Sequence, residues 1–161
     1  MRKYLSYIII DVFSASHWCP MRLRRFILRL YGHQISSLFP DYFMGIGKGR
    51  LTIGFNSFCN YRCFFDLSED INIGENCSIG FGVTFINSSH KIGCTTKRAG
   101  EGQNRPIVVE DGCWIGANVI ILPGVKIAKG CIVGAGGCVT KSTLPNGLYV
   151  GVPAKRIKDL D

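Results

Sequence analysis

VEDGCW, IGANVI, ILPGVK, IAKGCI, VGAGGC, VTKSTL: residues 109–144 are one six-residue phrase written six times. A branched aliphatic opens each phrase (Val109, Ile115, Ile121, Ile127, Val133, Val139). Four places later stands a small residue or valine (Cys113, Val119, Val125, Cys131, Gly137, Thr143). The phrase recurs upstream as IGFNSF at 53–58, IGENCS at 73–78 and IGFGVT at 79–84. A fixed short period decides architecture ahead of any other feature. Six residues are too few for a helix–turn unit but suit one short strand and a turn. Three phrases then make one circuit of a prism. The opening aliphatic points inward and stacks on its equivalent in the next coil, and the fifth residue turns into the crowded corner. The predicted fold class is all-β: a parallel β-helix with a short N-terminal helical cap and one protruding loop.

Composition agrees. A chain of 161 residues, 47% hydrophobic, makes one domain with a sizeable core. Twenty glycines suit a solenoid with a corner every few residues. The net charge of +8 points to an anionic partner. The basic residues are dispersed over 22–29, 91–105 and 155–158, and no RNA- or DNA-binding motif is present, so nucleic acid is not expected. Eight cysteines suggest a disulfide or metal framework, but no C-x-x-C pair exists. Cys77, Cys113 and Cys131 instead fill the small inward position of their phrases, where a free thiol acts as a small hydrophobe. Reduced cysteines, no cleavable signal peptide and no stretch of roughly 20 apolar residues predict a cytoplasmic protein without a spanning helix.

Three zones follow. Residues 1–40 form an N-terminal cap. The stretch 4–13 is apolar, and Pro20 opens a helix PMRLRRFILRLYG that closes at Gly32. On this helix Leu23, Phe26, Ile27, Leu30 and Tyr31 share one face and Arg22, Arg25 and Arg29 the other. The apolar face is expected to cover the open first coil. The same amphipathic pattern also suits the inner face of an anionic membrane, as a peripheral contact. Residues 41–152 are the β-helix, interrupted at 91–106 by a polar, basic insertion that should leave the prism as a loop, where function concentrates. Residues 153–161 read as a basic C-terminal tail.

Chemistry begins with His90, where repeat gives way to loop. A histidine titrates near neutrality and suits a general base. His17, His33 and His90 are far apart in the sequence, which argues against a three-histidine zinc site and hence a γ-type carbonic anhydrase. No G-x-S-x-G elbow supports a serine hydrolase. The G-x-G-x-G run at 45–49 lacks the strand, helix and spacing of a dinucleotide site.

The hexapeptides, the histidine at the loop base and the ending GVPAKRI resemble the left-handed β-helix acyltransferases, and within them the galactoside, maltose and nodulation-factor acetyltransferase branch. The opening segment, with CPMRLRRFILRLYG, is similar to that of sugar O-acetyltransferases of capsule and lipopolysaccharide synthesis. The left hand comes from the resemblance alone, since crossovers are right-handed by default. The resemblance implies His90 as catalytic base. It implies Asn60, 30 residues earlier, in the acceptor site, and Trp114, 24 residues later, beneath the histidine. It implies a cofactor wall of Ala117, Ala135, Thr140 and Lys141, with Lys155 and Lys158 at the adenosine phosphates around Arg156. Asp66 is a candidate orienter of acceptor or histidine. Each has a structural alternative: Asn60 as a turn residue, Trp114 as cover for a prism face, the two lysines as solvated charge.

The expected activity is acetyl transfer from acetyl-CoA, without metal, to a sugar or glycan hydroxyl in surface polysaccharide biosynthesis. A homotrimer with shared sites would carry it out by direct transfer. The alternatives are an amino-sugar N-acetyltransferase, a serine acetyltransferase (which usually has a longer helical N-terminal region) and a catalytically inactive scaffold.

Overall fold

The computed structural model of the protein describes residues 20–36 and 44–161. The apolar stretch 4–13, His17 and Cys19 lie outside them. The chain enters through helix α1 (Met21–Leu30), turns at Gly32 and lays down β1 (Gln34–Ile35) and β2 (Met44–Gly47). The next coil is β3 (Leu51–Ile53), β4 (Phe58–Cys59) and β5 (Phe64–Leu67), and the one after it β6 (Ile71–Ile73), β7 (Ser78–Ile79) and β8 (Thr84–Phe85). An excursion, β9 (His90–Ile92) and β10 (Ala99–Gly102), interrupts the winding. Two further coils follow: β11 (Ile107–Val109), β12 (Trp114–Ile115), β13 (Ile120–Ile121), then β14 (Lys126–Ile127), β15 (Ile132–Val133), β16 (Cys138–Val139). The chain ends with β17 (Gly147–Val150) and β18 (Lys155–Asp159).

These strands stack into the three faces of a prism. Face 1 runs β1-β3-β6-β11-β14, face 2 runs β4-β7-β12-β15-β17-β18, and face 3 runs β2-β5-β8-β13-β16. Neighbouring coils pair in parallel and in register, Ile73 on Val109 and Ile115 on Val133 for example. The expected phrase is what the core is made of. Every opening aliphatic from Val109 to Val139 is at most 1% exposed. The fifth positions Cys113, Val119, Val125, Cys131, Gly137 and Thr143 are all buried. Inside face 3 the aliphatics give way to Phe65 and Phe85, stacked at 5.0 Å and 10°, a favourable aromatic pairing. The described cysteines are all free thiols.

The corners explain the Asn and Gly content. Where face 1 turns into face 2, residues Asn56, Asn76, Gly112, Gly130 and Asn146 all have positive φ. Asparagine tolerates that conformation and glycine adopts it freely. Stacked asparagines pair, Asn56 Nδ2 donating to Asn76 Oδ1 at 2.9 Å. At Gly130 a Cβ would run into the Asn146 amide of the next coil, so glycine there answers both backbone and neighbour.

Three expectations need correction. The helix does cover the first coil, but not with its apolar stripe. Arg24 and Leu28, both 0% exposed, face the prism, while Leu23, Phe26 and Leu30 are 44%, 58% and 69% exposed. The insertion is not an open loop but a hairpin, β9 pairing antiparallel with β10. The basic tail is a strand: β18 returns antiparallel along β17 and extends face 2. Arg156 locks it there. Its guanidinium donates to the carbonyls of Leu144, Pro145 and Asn146 at 3.0, 3.0 and 3.2 Å and pairs with Asp159 at 2.6 Å.

The capped end holds a buried histidine. His33 Nδ1 accepts a 3.0 Å hydrogen bond from the Leu51 amide of the following coil. Burial, and then the charge of Arg50, lower its pKa from 6.5. The unfolded chain takes up that proton more readily than the folded one, so stability falls as pH drops below 6.5 toward the lower folded value. Thermal melting between pH 7.5 and 5.5 should therefore show an acid loss that His33→Gln, which keeps an acceptor and does not titrate, reduces. Equal pH slopes for the two proteins would refute the assignment.

Candidate active site

The break in the repeat is built in layers. Ile86 still belongs to the ladder, its amide donating to Ile121 at 2.9 Å. Asn87 is buried, with Nδ2 donating to the Glu69 carbonyl at 2.6 Å. Beyond it the two legs of the insertion are joined: Arg105 N donates to Asn87 O at 2.9 Å and Gln103 N to Ser89 O at 2.7 Å. His90 opens β9 immediately above, exposed. Among the described residues nothing hydrogen-bonds its imidazole, leaving both nitrogens available to a bound molecule.

Asp66, on β5 one coil earlier, holds this foot in place. One carboxylate oxygen accepts from Ser68 N at 3.1 Å and Ser68 Oγ at 2.6 Å. The other accepts from Asn87 N at 3.2 Å, Ser88 N at 2.8 Å and Ser88 Oγ. Partial burial pushes the carboxyl up, but the hydrogen bonds from Ser68 and Ser88 outweigh it and hold the pKa below the ordinary value. The geometry thus commits Asp66 to the segment that presents His90. Asn87 and Ser88, which complete this clamp, belong to the polar run Asn87-Ser88-Ser89 directly before the histidine, the context in which the sequence marks His90.

The other expected residues fall on two edges of the prism. Where face 3 turns into face 1 stand His90 and, two coils on, the exposed Thr140 and Lys141. Where face 2 turns into face 3 stand Asn60, Ala117 and Ala135. Asn60 Oδ1 accepts from the Tyr61 amide at 2.8 Å, the turn role foreseen for it, and its Nδ2 donates to nothing among the described residues. The amides of Ala117 and Ala135 likewise donate to no group among the described residues, although the Gly116 and Asn118 amides beside Ala117 are spent in the ladder. The Ala117 carbonyl accepts from Gly136 at 2.8 Å. Arg62 in the same corner has φ of 60° and rests over Phe81, 5.6 Å from the ring centroid. A bulky residue with positive φ is uncommon and marks a corner under a special constraint.

Trp114 lies on face 2 between Ser78 and Ile132, 58% exposed. Lys155 and Lys158 are exposed on β18. Within one chain the two edges of face 3 are about one phrase apart, on the order of 20 Å of extended backbone. His90 and Asn60 are therefore not brought together in a single copy. A groove of about 470 Å³ lies elsewhere, on face 1 and toward its other edge, lined by Asn72, Val108, Glu110, Asp111 and Lys129 among others. Among the described residues no three His, Cys, Asp or Glu side chains gather as a metal ion would need.

Comparison with known proteins gives this arrangement a context. Residues 106–141 match the bacterial transferase hexapeptide (six repeats) family model. The chain is 30% identical over 125 residues to a galactoside O-acetyltransferase of Lactococcus lactis, covering 76% of this chain and 60% of that protein. It spans between half and three fifths of the length of the curated relatives it matches. Among solved structures, a hexapeptide-repeat acetyltransferase of Vibrio cholerae in complex with acetyl coenzyme A superposes with a TM-score of 0.83 at 28% identity, covering 98% of this chain and 85% of that one. A maltose O-acetyltransferase of Clostridium difficile superposes with a TM-score of 0.78 at 29% identity, covering 99% and 86%. Repeat, coil geometry and relatives agree: the chain belongs to the hexapeptide-repeat transferase family.

Proposed function

We propose that the chain is an acetyl-CoA-dependent O-acetyltransferase acting on a sugar hydroxyl, with His90 as general base and each site shared between neighbours of a homotrimer. The reading is carried by one observation, the division of the expected site residues between the two edges of face 3. A general base must come within about 3 Å of the proton it removes. No acceptor held at Asn60 meets that condition with the His90 of the same chain. A second copy that sets its 2–3 edge against this chain's 3–1 edge does meet it.

The surface supports such packing. Phe58 and Trp114 on face 2, Tyr61 and Phe81 at the 2–3 edge and Ile120 on face 3 are all exposed. Face 1 presents Thr52, Asn72, Val108 and Lys126 at the equivalent outward positions, with no aromatic among them. Apolar surface wrapped around one edge of a stiff prism calls for a partner, and closed symmetry satisfies it with identical copies.

In the composite cleft the acceptor hydroxyl is held near Asn60, whose free Nδ2 is a donor for a sugar oxygen. His90 takes the hydroxyl proton as the oxygen attacks the thioester carbonyl. The tetrahedral oxyanion needs a fixed donor, and the uncommitted Ala117 amide supplies one. As the C–S bond breaks, the imidazolium returns the proton to the leaving CoA thiolate. Thr140, Lys141 and the Ala135 amide line the path of the pantetheine, and Lys155 and Lys158 meet the phosphates. Arg156 is already spent within the chain and takes no part.

Purified protein with acetyl-CoA and a panel of sugars, followed by thiol release, tests the activity directly. His90→Ala should lower turnover at least about a hundredfold while acetyl-CoA binding persists. Asn60→Ala should also be impaired, and subunits of the two variants, mixed through reversible denaturation, should regain activity through sites holding both native residues. A His90→Ala enzyme with a tenth or more of wild-type turnover refutes the base, and absence of rescue in mixed trimers refutes the shared site.

Asp66 is a positioning residue here. Asp66→Asn should reduce kcat about tenfold or more with the KM for acetyl-CoA unchanged and melting little altered. A change confined to acceptor KM would instead make Asp66 an acceptor ligand.

Exposed lysine–phosphate contacts are individually weak, up to about 1 kcal/mol, but they converge on one polyanion. Lys155→Ala with Lys158→Ala should raise the KM for acetyl-CoA several-fold and leave that for the acceptor. Added salt should weaken cofactor binding more in the native protein than in the double variant. The reverse pattern would put these charges at the acceptor.

A further inference from the structure

Helix α1 is mounted on the prism the opposite way round from its sequence pattern. Leu28 and the charged Arg24 are fully buried against the first coil, and Ile27 is half-buried. The side facing away carries Phe26, Leu30 and Leu23, all exposed. At 100° per residue these three fall within one third of the helix circumference. Arg22 and Arg29 continue that outward surface on one side, with Arg25 beyond them. From Pro20 to Ser36 the sequence contains no Asp or Glu, so nothing in the segment neutralises these charges locally.

Such a surface can be covered by a second copy of the helix, by an acidic protein or by lipid. A second copy would bring its own arginines against Arg22 and Arg29, like charge against like, in a patch where exclusion of water strengthens the repulsion. An apolar ridge with guanidinium groups along its margin, on a chain of net charge +8, complements an anionic lipid surface: the side chains enter the acyl boundary and the charges meet the phosphates. Among the described residues no helix is long and apolar enough to cross a membrane, so the contact is one of lying on the surface. His90 leaves the prism two coils beyond β1, about 10 Å along the axis at the spacing of paired strands.

We propose that the outward face of α1, Leu23, Phe26 and Leu30 with Arg22 and Arg29, docks the protein onto an anionic phospholipid surface. The proposal stands independently of the acetyl-transfer reading.

Flotation of the full chain with vesicles tests it. The native protein should float with phosphatidylglycerol–phosphatidylcholine vesicles, several-fold less with phosphatidylcholine alone, and less again in high salt. Phe26→Ser with Leu30→Ser, both at exposed positions, should keep the native melting temperature and lose at least about tenfold in vesicle binding. Arg22→Gln with Arg29→Gln should lose the preference for anionic lipid. The proposal fails if the native chain stays in solution, or if the serine variant floats as the native one does. It also fails if the native chain without lipid forms an assembly larger than a trimer that the serine variant breaks down, which would identify the occupant as a second copy.

Discussion

Parallel pairing in register ties each coil to the next, and the other features of this chain follow from it. Each position must accept its own equivalent above and below: Ile107 meets Ile71, Ile115 meets Ile79, Phe65 meets Phe85. A residue that suits one coil suits all of them, which is why six residues can be repeated and why a short sample of sequence is decisive. The ladder also limits deviation. An insertion cannot be absorbed within a coil without shifting every aliphatic off its partner, so it must leave at a corner and return to the same place. The joined legs at Asn87–Arg105 and Ser89–Gln103 achieve this, and the histidine is carried on the part that leaves.

The rigidity that follows gives the site its character. A side chain on a projecting hairpin is well placed to reach a second molecule and poorly fixed by its own scaffold. The Asp66 clamp supplies the fixing: a buried asparagine, two serines and a carboxylate tie the foot of the hairpin to the previous coil, and among the described residues nothing binds the imidazole. The opposite edge has the complementary design. Among the described residues its ladder leaves the Ala117 and Ala135 amides unspent, and Arg62 and Phe81 flank it. One edge presents an imidazole and the other presents donors, and face 3 keeps them apart in a single copy.

How much of this was legible in the sequence depended on whether a feature was local or relational. The phrase at 109–144 specified the core side chain by side chain, because a period is a statement about stacking. The two-edge arrangement was also written there. Asn60 and His90 are 30 residues apart, more than one coil, since Ile53 stacks on Ile73, and less than two. They must therefore fall on different edges, and counting coils would have found it. The mounting of α1 was not legible. An apolar stripe tells which residues leave water but not which surface receives them, and a buried arginine is not foreseen from composition. The terminal strand was hidden for another reason. KRIKD is poor strand sequence by propensity, and it pairs because β17 offers a free edge and Arg156 reaches back to the carbonyls of the preceding turn.

That last strand also bears on how the solenoid ends. An open coil exposes an unpaired edge on each face, a liability in any parallel stack. Here face 2 is finished by an antiparallel strand dense in lysine and arginine, and charge on an edge discourages further pairing. At the other end α1 lies beside β1, with His33 accepting the amide of Leu51 and Arg29 donating to the Ile35 carbonyl at 3.3 Å. Both terminations carry basic residues. The positive charge of the chain thus gathers at its two ends and on the hairpin between them. These are the places where a regular prism stops repeating and where, in consequence, a side chain is free to be chosen for an anionic partner rather than for its neighbour in the next coil.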